Sequence, residues 1–257
     1  MAHQFFDLTG RVALVTGGGG VIGGASARTL AALGADVVVM DRREEPANAT
    51  ASDIASSGRR TMVLVGDAAD YAVVERLASQ AESEFDHVDI LVNVAGGGDP
   101  RRMLEMERKD FDGVVANNLM SAWNWCRALA PGMLQRSRQR IVNIASISAK
   151  HGGGPPATIS KSAYSAAKGG VLGLTKGLAK ELAPHVTVNA VCPGLIETSR
   201  TERMTKGPER DQILATIPMG RFGEGRDIAG AVAFFASSAA DWITGESMDV
   251  NGGQYID

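Results

Sequence analysis

The sequence predicts an α/β fold, in which one doubly wound domain is built on a seven-stranded, mainly parallel sheet. Short runs rich in Val and Ile recur along the 257 residues, and longer amphipathic segments separate them. Strands joined by crossover helices produce this alternation. Within each run the apolar residues are consecutive, as in VALVT at 12–16 and DVVVM at 36–40. Such runs indicate strands that are covered by helices on both faces of the sheet.

Both kinds of element can be placed from this pattern. The predicted strands are 12–16, 36–40, 61–65, 88–92, 141–145, 186–192 and 246–250. The predicted crossover helices are 22–33, 70–84, 111–136, 162–183 and 227–239. No repeat, low-complexity tract or linker separates these elements, and 44% hydrophobic residues are sufficient for one packed core. We therefore expect a single domain over residues 1–257.

Two polar segments interrupt the alternation. Residues 149–161 and 197–217 contain Gly or Pro, and each follows the carboxyl end of a predicted strand. Ligands of doubly wound domains bind at that edge of the sheet. The sequence thus predicts a substrate loop or lid at 197–217 and a second substrate wall at 149–161, with ordinary surface loops as the alternative. The basic residues of the lid segment could attract an acidic substrate, although a charged, solvated surface is the simpler explanation; they are Arg200, Arg203, Lys206 and Arg210.

Composition excludes several classes of function. The net charge is −3, and the 26 Lys and Arg residues form no basic block, so we expect no nucleic-acid partner. No apolar run approaches the roughly 20 residues that span a bilayer, so we expect no membrane insertion. Cys126 and Cys192 lack metal-type spacing, and we expect no metal site. The N-terminus has no signal-peptide pattern, which favours a cytoplasmic protein with free thiols.

A glycine-rich turn follows the first predicted strand. Residues 16–24 are TGGGGVIGG, and a helical pattern begins directly after them. Such a turn allows backbone N–H groups to approach a diphosphate at the positive end of the helix. Asp41, at the end of the second strand, stands 18 positions after Gly23, where a carboxylate meets the adenosine ribose of a dinucleotide. The two features together predict a Rossmann-like, dinucleotide-binding domain.

Asp41 also bears on which dinucleotide binds. A carboxylate can accept hydrogen bonds from both ribose hydroxyls, whereas it repels a 2′-phosphate. NAD is therefore favoured over NADP. Arg42 and Arg43 follow directly and could neutralise a 2′-phosphate, so NADP remains the alternative.

Tyr164 and Lys168 lie four positions apart in AYSAAKGG, which places them on one face of the predicted helix. A tyrosine hydroxyl titrates near pH 10, and a neighbouring ammonium lowers its pKa toward neutrality. The pair therefore predicts a general acid/base, with an ordinary exposed Tyr–Lys pair as the alternative. Two polar residues accompany it, since Ser146 follows a buried strand and Asn118 ends the apolar turn VVANNL.

From GRVALVTGG to VNGGQYI the chain resembles the short-chain dehydrogenase/reductase family. The resemblance implies that Tyr164 is the catalytic acid/base, and that Lys168 lowers its pKa and holds the nicotinamide ribose. It implies that Ser146 positions the reacting oxygen and that Asn118 supports a water relay toward the lysine. A homotetramer is expected from the same resemblance, with a dimer as the alternative.

The resemblance also implies a set of cofactor-binding residues. Asp67 and Ala68 would meet the adenine, Ile196 the nicotinamide amide and Thr198 the phosphates. The full set is Gly17, Gly20, Ile22, Gly23, Asp41, Asp67, Ala68, Asn93, Ala95, Gly96, Tyr164, Lys168, Pro193, Gly194, Ile196 and Thr198.

Two features depart from the family pattern T-G-x-x-x-G-x-G and its usual spacing. Val21 stands where the pattern has a glycine, and a β-branched residue neither adopts a positive φ readily nor leaves room for a diphosphate. We expect weaker or displaced cofactor binding there. Ser146 and Tyr164 are 18 positions apart, more than the family usually shows, which leaves Ser148 as the alternative serine.

These observations predict an oxidoreductase that transfers a hydride between NAD(H) and a secondary alcohol or ketone. Two alternatives remain open. One is a 3-oxoacyl-thioester reductase of the same family, and the other is a dinucleotide-binding protein without catalysis, because a fold alone does not establish a function.

Overall fold

The computed structural model describes residues 5–153 and 161–256. Its centre is a seven-stranded sheet in the order β3-β2-β1-β4-β5-β6-β7. Every neighbouring pair is parallel. The strands are β1 (Val12–Thr16), β2 (Asp36–Asp41), β3 (Thr61–Val65), β4 (Ile90–Asn93), β5 (Gln139–Ile144), β6 (Val186–Pro193) and β7 (Ser247–Val250). The predicted fold class is confirmed.

Helices cover both faces of this sheet. They are α1 (Val21–Ala32), α2 (Glu44–Ser56), α3 (Tyr71–Phe85), α4 (Arg108–Val115), α5 (Ser121–Leu134), α6 (Ser148–His151), α7 (Ser162–Glu181), α8 (Glu202–Lys206), α9 (Arg210–Leu214) and α10 (Gly225–Ala236). Leu30 and Phe235 belong to the core on the face of α1, α2 and α10. Leu77 and Trp125 belong to the core on the face of α3, α5 and α7. The five inner strands of the sheet are therefore buried on both sides, as the sequence predicted. The prediction is wrong for the edge strands β3 and β7, because each has a neighbour on one side only and stays partly exposed.

Helix α2 is absent from the predicted elements. Its sequence is EEPANATASDIAS, and its buried side chains are small apart from Ile54. Three of the four buried positions are Ala47, Thr50 and Ala51. Because small residues give a weak hydrophobic periodicity, this helix cannot be recognised from the pattern that identified the others.

The predicted helix 111–136 consists of three pieces. Helices α4 and α5 are separated by a π-helical turn, Ala116–Met120. Asn118 lies in that turn, and its side chain donates a 2.8 Å hydrogen bond to the Val114 carbonyl one turn earlier. Short π-helical turns inside helices are frequent at functional sites, and this one sets the position of a predicted site residue.

The two predicted wall segments contain short helices. Within 149–161, helix α6 ends at His151, and residues 154–160 lie outside the described part of the chain. Within 197–217, helices α8 and α9 bury apolar side chains against one another, among them Met204 and Ile213. The lid segment is thus partly helical and packed, rather than wholly irregular.

Across residues 5–153 and 161–256, no helix combines the length and the hydropathy that a bilayer crossing requires.

Candidate active site

Two adjoining cavities open at the carboxyl ends of the strands. The first, the nucleotide cavity, measures about 500 Å³ and is lined by the glycine turn and by residues 40–43 and 66–69. The second, the catalytic cavity, measures about 420 Å³ and is lined by residues 144–148 and 193–196 with Tyr164 and Lys168. They meet near β1 and β4, where the strand order reverses, which is where doubly wound domains bind their ligands.

The glycine turn approaches its surroundings closely. Gly17 has a φ of +62°, and a Cβ there would lie 3.1 Å from the Ala95 amide nitrogen. A Cβ on Gly23 would overlap the carbonyl oxygen of Gly17. Gly20 precedes α1 and gives it no side-chain cap, so the first-turn N–H groups of α1 are left for a ligand. The turn therefore fits a diphosphate at the start of this helix.

Thr16 has a role that the sequence did not suggest. Its Oγ1 accepts hydrogen bonds from the amides of Val94 and Ala95, both at 3.0 Å. It thereby joins the ends of β1 and β4 beneath the cleft. Thr16 was visible as the first residue of TGGGGVIGG, but nothing in the sequence indicated its partners.

Asp41 lies where the sequence placed it, at the end of β2 and on the wall of the nucleotide cavity. Its side chain is buried, and its two oxygens accept hydrogen bonds from the amides of Gly19 (3.0 Å) and Arg43 (2.9 Å). A carboxylate has about four acceptor sites, so Asp41 retains capacity for ribose hydroxyls. Arg42 and Arg43 line the same cavity.

Val21 differs from our expectation in one respect. It is the first residue of α1, and it is not among the residues with a positive φ. The backbone objection to a β-branched residue at this position is therefore wrong. Its side chain contacts α10, because a Cβ on Gly225 would lie 3.1 Å from Val21 Cγ1. Weaker cofactor binding, through the bulk of Val21 at the cavity wall, stays a prediction.

The Ser146 side chain lies beside the Tyr164 hydroxyl, although the two residues are 18 positions apart in the sequence. Ser146 Oγ also accepts a 3.1 Å hydrogen bond from the amide of Ser148, which fixes its orientation. Both serines line the catalytic cavity, but the contact with the phenol belongs to Ser146. The geometry therefore favours Ser146 over Ser148 as the partner of Tyr164.

Lys168 is buried, and its Nζ donates a 2.7 Å hydrogen bond to the carbonyl oxygen of Ile144. Burial lowers the pKa of Lys168 to about 8. The pKa of the Tyr164 hydroxyl lies above its ordinary value, whereas the sequence led us to expect a lowered one. Burial raises this pKa, and the Ser146 side chain and the Arg200 charge lower it by less. The Lys168 ammonium is held by Ile144 and lies over the Tyr164 ring, 5.9 Å from its centroid.

Asn118 supports the cleft from behind rather than lining it. Its side chain accepts from the Gly97 amide (3.0 Å) and donates to the Gly97 carbonyl (2.9 Å). A Cβ on Gly96 would overlap the Asn118 side chain and would lie 3.3 Å from Lys168 Nζ. Asn118 therefore holds residues 96–97 against the lysine. No hydrogen bond joins Asn118 to Lys168 directly.

Asn93 is not among the residues that line the two cavities, and its predicted place beside the cofactor stays a prediction. Its side chain turns into the core and donates a 2.9 Å hydrogen bond to Asn143, which in turn donates to Thr175. An amide buried at the end of a strand needs such partners. The other predicted cofactor residues all line the cleft: Gly17, Gly20, Ile22, Gly23, Asp41, Asp67, Ala68, Ala95, Gly96, Tyr164, Lys168, Pro193, Gly194, Ile196 and Thr198.

An ion pair fixes the substrate wall next to Ser146. Lys150 on α6 donates a 2.8 Å hydrogen bond to Asp249 on β7, and both side chains are largely buried. The two residues are 99 positions apart. No sequence pattern could have paired them.

Known proteins share this architecture over nearly the whole chain. The family described as enoyl-(acyl carrier protein) reductase matches residues 19–254. The 3-oxoacyl-[acyl-carrier-protein] reductase FabG of Escherichia coli (strain K12) is 39% identical over 251 residues, which cover 97% of this chain and 99% of that protein. The chain is a member of the short-chain dehydrogenase/reductase family.

Two solved members of the family are also similar in structure. A putative 2-deoxy-D-gluconate 3-dehydrogenase from Agrobacterium tumefaciens with bound NADP is 40% identical, with a TM-score of 0.88 over 97% of this chain and 98% of that one. A gluconate 5-dehydrogenase from Burkholderia cenocepacia in complex with NADP and tartrate is 33% identical, with a TM-score of 0.91 over 99% of this chain and 98% of that one. This short-chain dehydrogenase/reductase is an oxidoreductase that acts on a CH–OH or keto group.

Proposed function

We propose that this enzyme transfers a hydride between NAD(H) and a small secondary alcohol or its ketone. The observation that carries the proposal is that the Ser146 and Tyr164 side chains lie side by side in the catalytic cavity, which adjoins the nucleotide cavity at the glycine turn. A hydroxyl pair in this position can hold a substrate oxygen while the reacting carbon faces the bound dinucleotide. When bound, the dinucleotide supplies or accepts the hydride.

Four polar residues in or beside the catalytic cavity have proposed roles. Tyr164 moves the proton on the substrate oxygen, and Ser146 holds that oxygen by a hydrogen bond. Lys168, fixed by Ile144, presents a buried ammonium that would bind the nicotinamide ribose and stabilise the Tyr164 phenolate once the cleft is filled. Asn118 keeps residues 96–97 in place beside that ammonium.

We propose that NAD is preferred, because Asp41 places a carboxylate at the ribose end of the nucleotide cavity. A 2′-phosphate there would meet like charge. Two observations favour NADP instead. Two solved relatives contain bound NADP, and Arg42 and Arg43 line the same cavity as Asp41. The guanidinium groups of both arginines are accessible at the cavity wall, so we include NADP in the test.

A second candidate is the reduction of a 3-oxoacyl thioester. The relatives that carry this name are 39% identical to the chain over nearly its full length. In that reaction the Ser146 and Tyr164 hydroxyls would hold the 3-keto oxygen of the thioester. It differs in requiring a cavity that accepts an acyl chain bearing a thioester.

The test is a turnover screen with both dinucleotides. Polyols, sugar acids, cyclic diols, hydroxy acids and steroids are offered for oxidation, and acetoacetyl thioesters for reduction, while the absorbance of the reduced nicotinamide is followed. We expect turnover with a small secondary alcohol or ketone and a higher kcat/KM with the NAD couple. Efficient turnover of thioesters alone would select the second candidate. Dinucleotide binding without any turnover would select the non-catalytic alternative.

The remaining expectations are proposals of the same kind. We propose that the chain forms one domain with a substrate lid at 197–217. We also propose that it is a cytoplasmic homotetramer. Both cysteines of the described residues are buried free thiols, as a reducing compartment allows. Phe111 of α4, Met120 of the π-helical turn and Trp123 of α5 each leave about two-fifths of their surfaces exposed. Apolar surface of this kind suits a subunit interface. Sedimentation of the full chain measures the assembly.

A further inference from the structure

Arg200 crosses the cleft. It stands in the segment after β6, and its guanidinium donates a hydrogen bond to the carbonyl oxygen of Gly96, in the segment after β4. These two strands are separated by β5 in the sheet. The side chain therefore connects the proposed lid to the opposite wall over the end of the strand that leads to Ser146.

The position of Arg200 is distinctive among the residues that line the cleft. Seven described residues line both cavities, and Arg200 is the charged one among them; the others are Ile22, Val94, Gly96, Gly97, Gly98 and Thr198. No carboxylate of the described residues lies within ion-pair distance of its guanidinium. Its charged neighbours are Arg42 and Arg43, together with the Asp41 carboxylate, which is itself paired with Arg43. Positive charge is therefore in excess near the junction of the two cavities, and the Arg200 guanidinium is in no ion pair of its own with the described residues.

A dinucleotide that fills both cavities must pass through this junction. Its adenosine would lie on the side of Asp41 and its nicotinamide on the side of Tyr164, so the diphosphate between them would lie near Ile22 in the first turn of α1. Helix N–H groups and a guanidinium are the two groups that bind phosphate oxygens best. At the junction, the helix N–H groups come from the glycine turn and the guanidinium comes from the lid segment.

We propose that Arg200 binds the diphosphate of the dinucleotide and so couples cofactor binding to the position of the 197–217 segment. This inference rests on the proposed function. On binding, the guanidinium exchanges the neutral carbonyl of Gly96 for phosphate oxygens of opposite charge, which a guanidinium can bind through two parallel hydrogen bonds. The segment that carries Thr198 and Met204 into the catalytic cavity is then held against the cofactor.

The test compares Arg200→Met and Arg200→Lys with the matched control Arg203→Met, an exposed residue of the same segment. Calorimetry measures the dissociation constants of NAD, ADP-ribose and adenosine for each variant. We expect R200M to weaken NAD and ADP-ribose by about tenfold to a hundredfold, as for the loss of a charged hydrogen bond. R200K retains part of the affinity, because it keeps the charge. Adenosine, which lacks phosphate, binds all variants equally, and R203M behaves as the wild type.

A second measurement uses the unaltered protein. Amide hydrogen exchange over 197–206 is followed with and without ADP-ribose, and with adenosine as the ligand control. ADP-ribose slows exchange in this segment if Arg200 draws it onto the diphosphate, and adenosine does not. Thermal melting of each variant shows whether it has folded, and the exchange result stands independently of the variants.

The outcomes separate the inference from the proposed function. Wild-type affinity for ADP-ribose in R200M, or exchange that ADP-ribose does not slow, overturns the role of Arg200. A rise in KM confined to acidic substrates, with dinucleotide affinity unchanged, likewise overturns it and assigns Arg200 to the substrate. A wild-type protein that binds neither NAD nor NADP overturns the proposed function itself.

Discussion

Lys168 Nζ donates a 2.7 Å hydrogen bond to the carbonyl oxygen of Ile144, the last residue of β5. Ser146 follows two positions later and lies beside Tyr164, one turn from Lys168 on α7. The strand and the helix therefore meet at two points beside the cavity. This geometry fixes the ammonium and the phenol relative to each other without direct contact between them.

Replacement of Tyr164 by Phe removes the hydroxyl that exchanges a proton with the substrate. We expect kcat to fall by about 10²- to 10⁴-fold, the usual contribution of a general acid/base. Dinucleotide affinity, measured by quenching of protein fluorescence, should change little because the ring remains. Substantial turnover in Y164F would remove Tyr164 from the mechanism.

Replacement of Lys168 by Met removes a buried charge beside the proposed nicotinamide ribose. We expect both a lower kcat and weaker dinucleotide binding, since the ammonium serves both. The matched control is Lys176→Met, an exposed lysine of the same helix, which should leave both quantities unchanged. Equal effects of K168M and K176M would contradict a specific role for Lys168.

Comparison of the wild type with K168M should also show a pH dependence in the free energy of unfolding. Burial lowers the pKa of Lys168 from 10.5 to about 8. Between these values the folded protein holds fewer protons on this group than the unfolded chain. The free energy of unfolding of the wild type, relative to K168M, therefore rises with pH across this window. The full rise is at most about 3 kcal/mol, and urea titrations below and above the window measure it; a flat difference would contradict the burial of the charge.

Alanine substitutions at Ser146 and Ser148 test which of the two serines acts together with Tyr164. We expect Ser146→Ala to lower kcat by about tenfold to a hundredfold, because one hydrogen bond to the reacting oxygen is lost. Ser148 contributes its amide to Ser146, and an alanine keeps that amide. S148A should therefore retain most of its turnover. The reverse order would move the assignment to Ser148.

Asn118 is predicted to be a positioning residue. Asn118→Ala leaves the backbone groups of Gly97 without their partner, at a cost of about 1–3 kcal/mol in the free energy of unfolding. Displacement of residues 96–97 should also raise the KM for the dinucleotide more than it lowers kcat. Urea unfolding and steady-state kinetics measure the two effects. An unchanged KM in a destabilised N118A would indicate a structural role only.

Asp41 is predicted to select the dinucleotide. Asp41→Asn keeps an oxygen for the Gly19 amide and removes the charge. The ratio of kcat/KM for NADP over NAD should rise by about tenfold or more, because a like-charge contact costs more than about 1.4 kcal/mol. Asp36→Asn, at the other end of β2, is the matched control. No change in the ratio would show that Arg42 and Arg43, rather than Asp41, decide the preference.

The inner strands were predictable because they are short apolar runs rich in Val and Ile, which is typical of strands that helices cover on both faces of a parallel sheet. The same rule failed at α2, whose buried face is mostly Ala and Thr and carries little hydrophobic contrast. It also failed within 111–136, where the π-helical turn at Asn118 breaks one continuous pattern into three pieces. Apolar periodicity reports burial, but it does not report how a helix is wound.

The sequence by itself determined the doubly wound sheet, the glycine turn, and the spacing of Tyr164 and Lys168 on one helical face. These follow from local periodicity and from residues close together in the chain. Only the tertiary structure decided that Asn93 turns into the core, that Lys168 bonds Ile144 rather than approaching the phenol, and that Arg200 reaches Gly96. Each of these depends on contacts between side chains and backbone groups far apart in sequence, and those distances are set when the strands assemble.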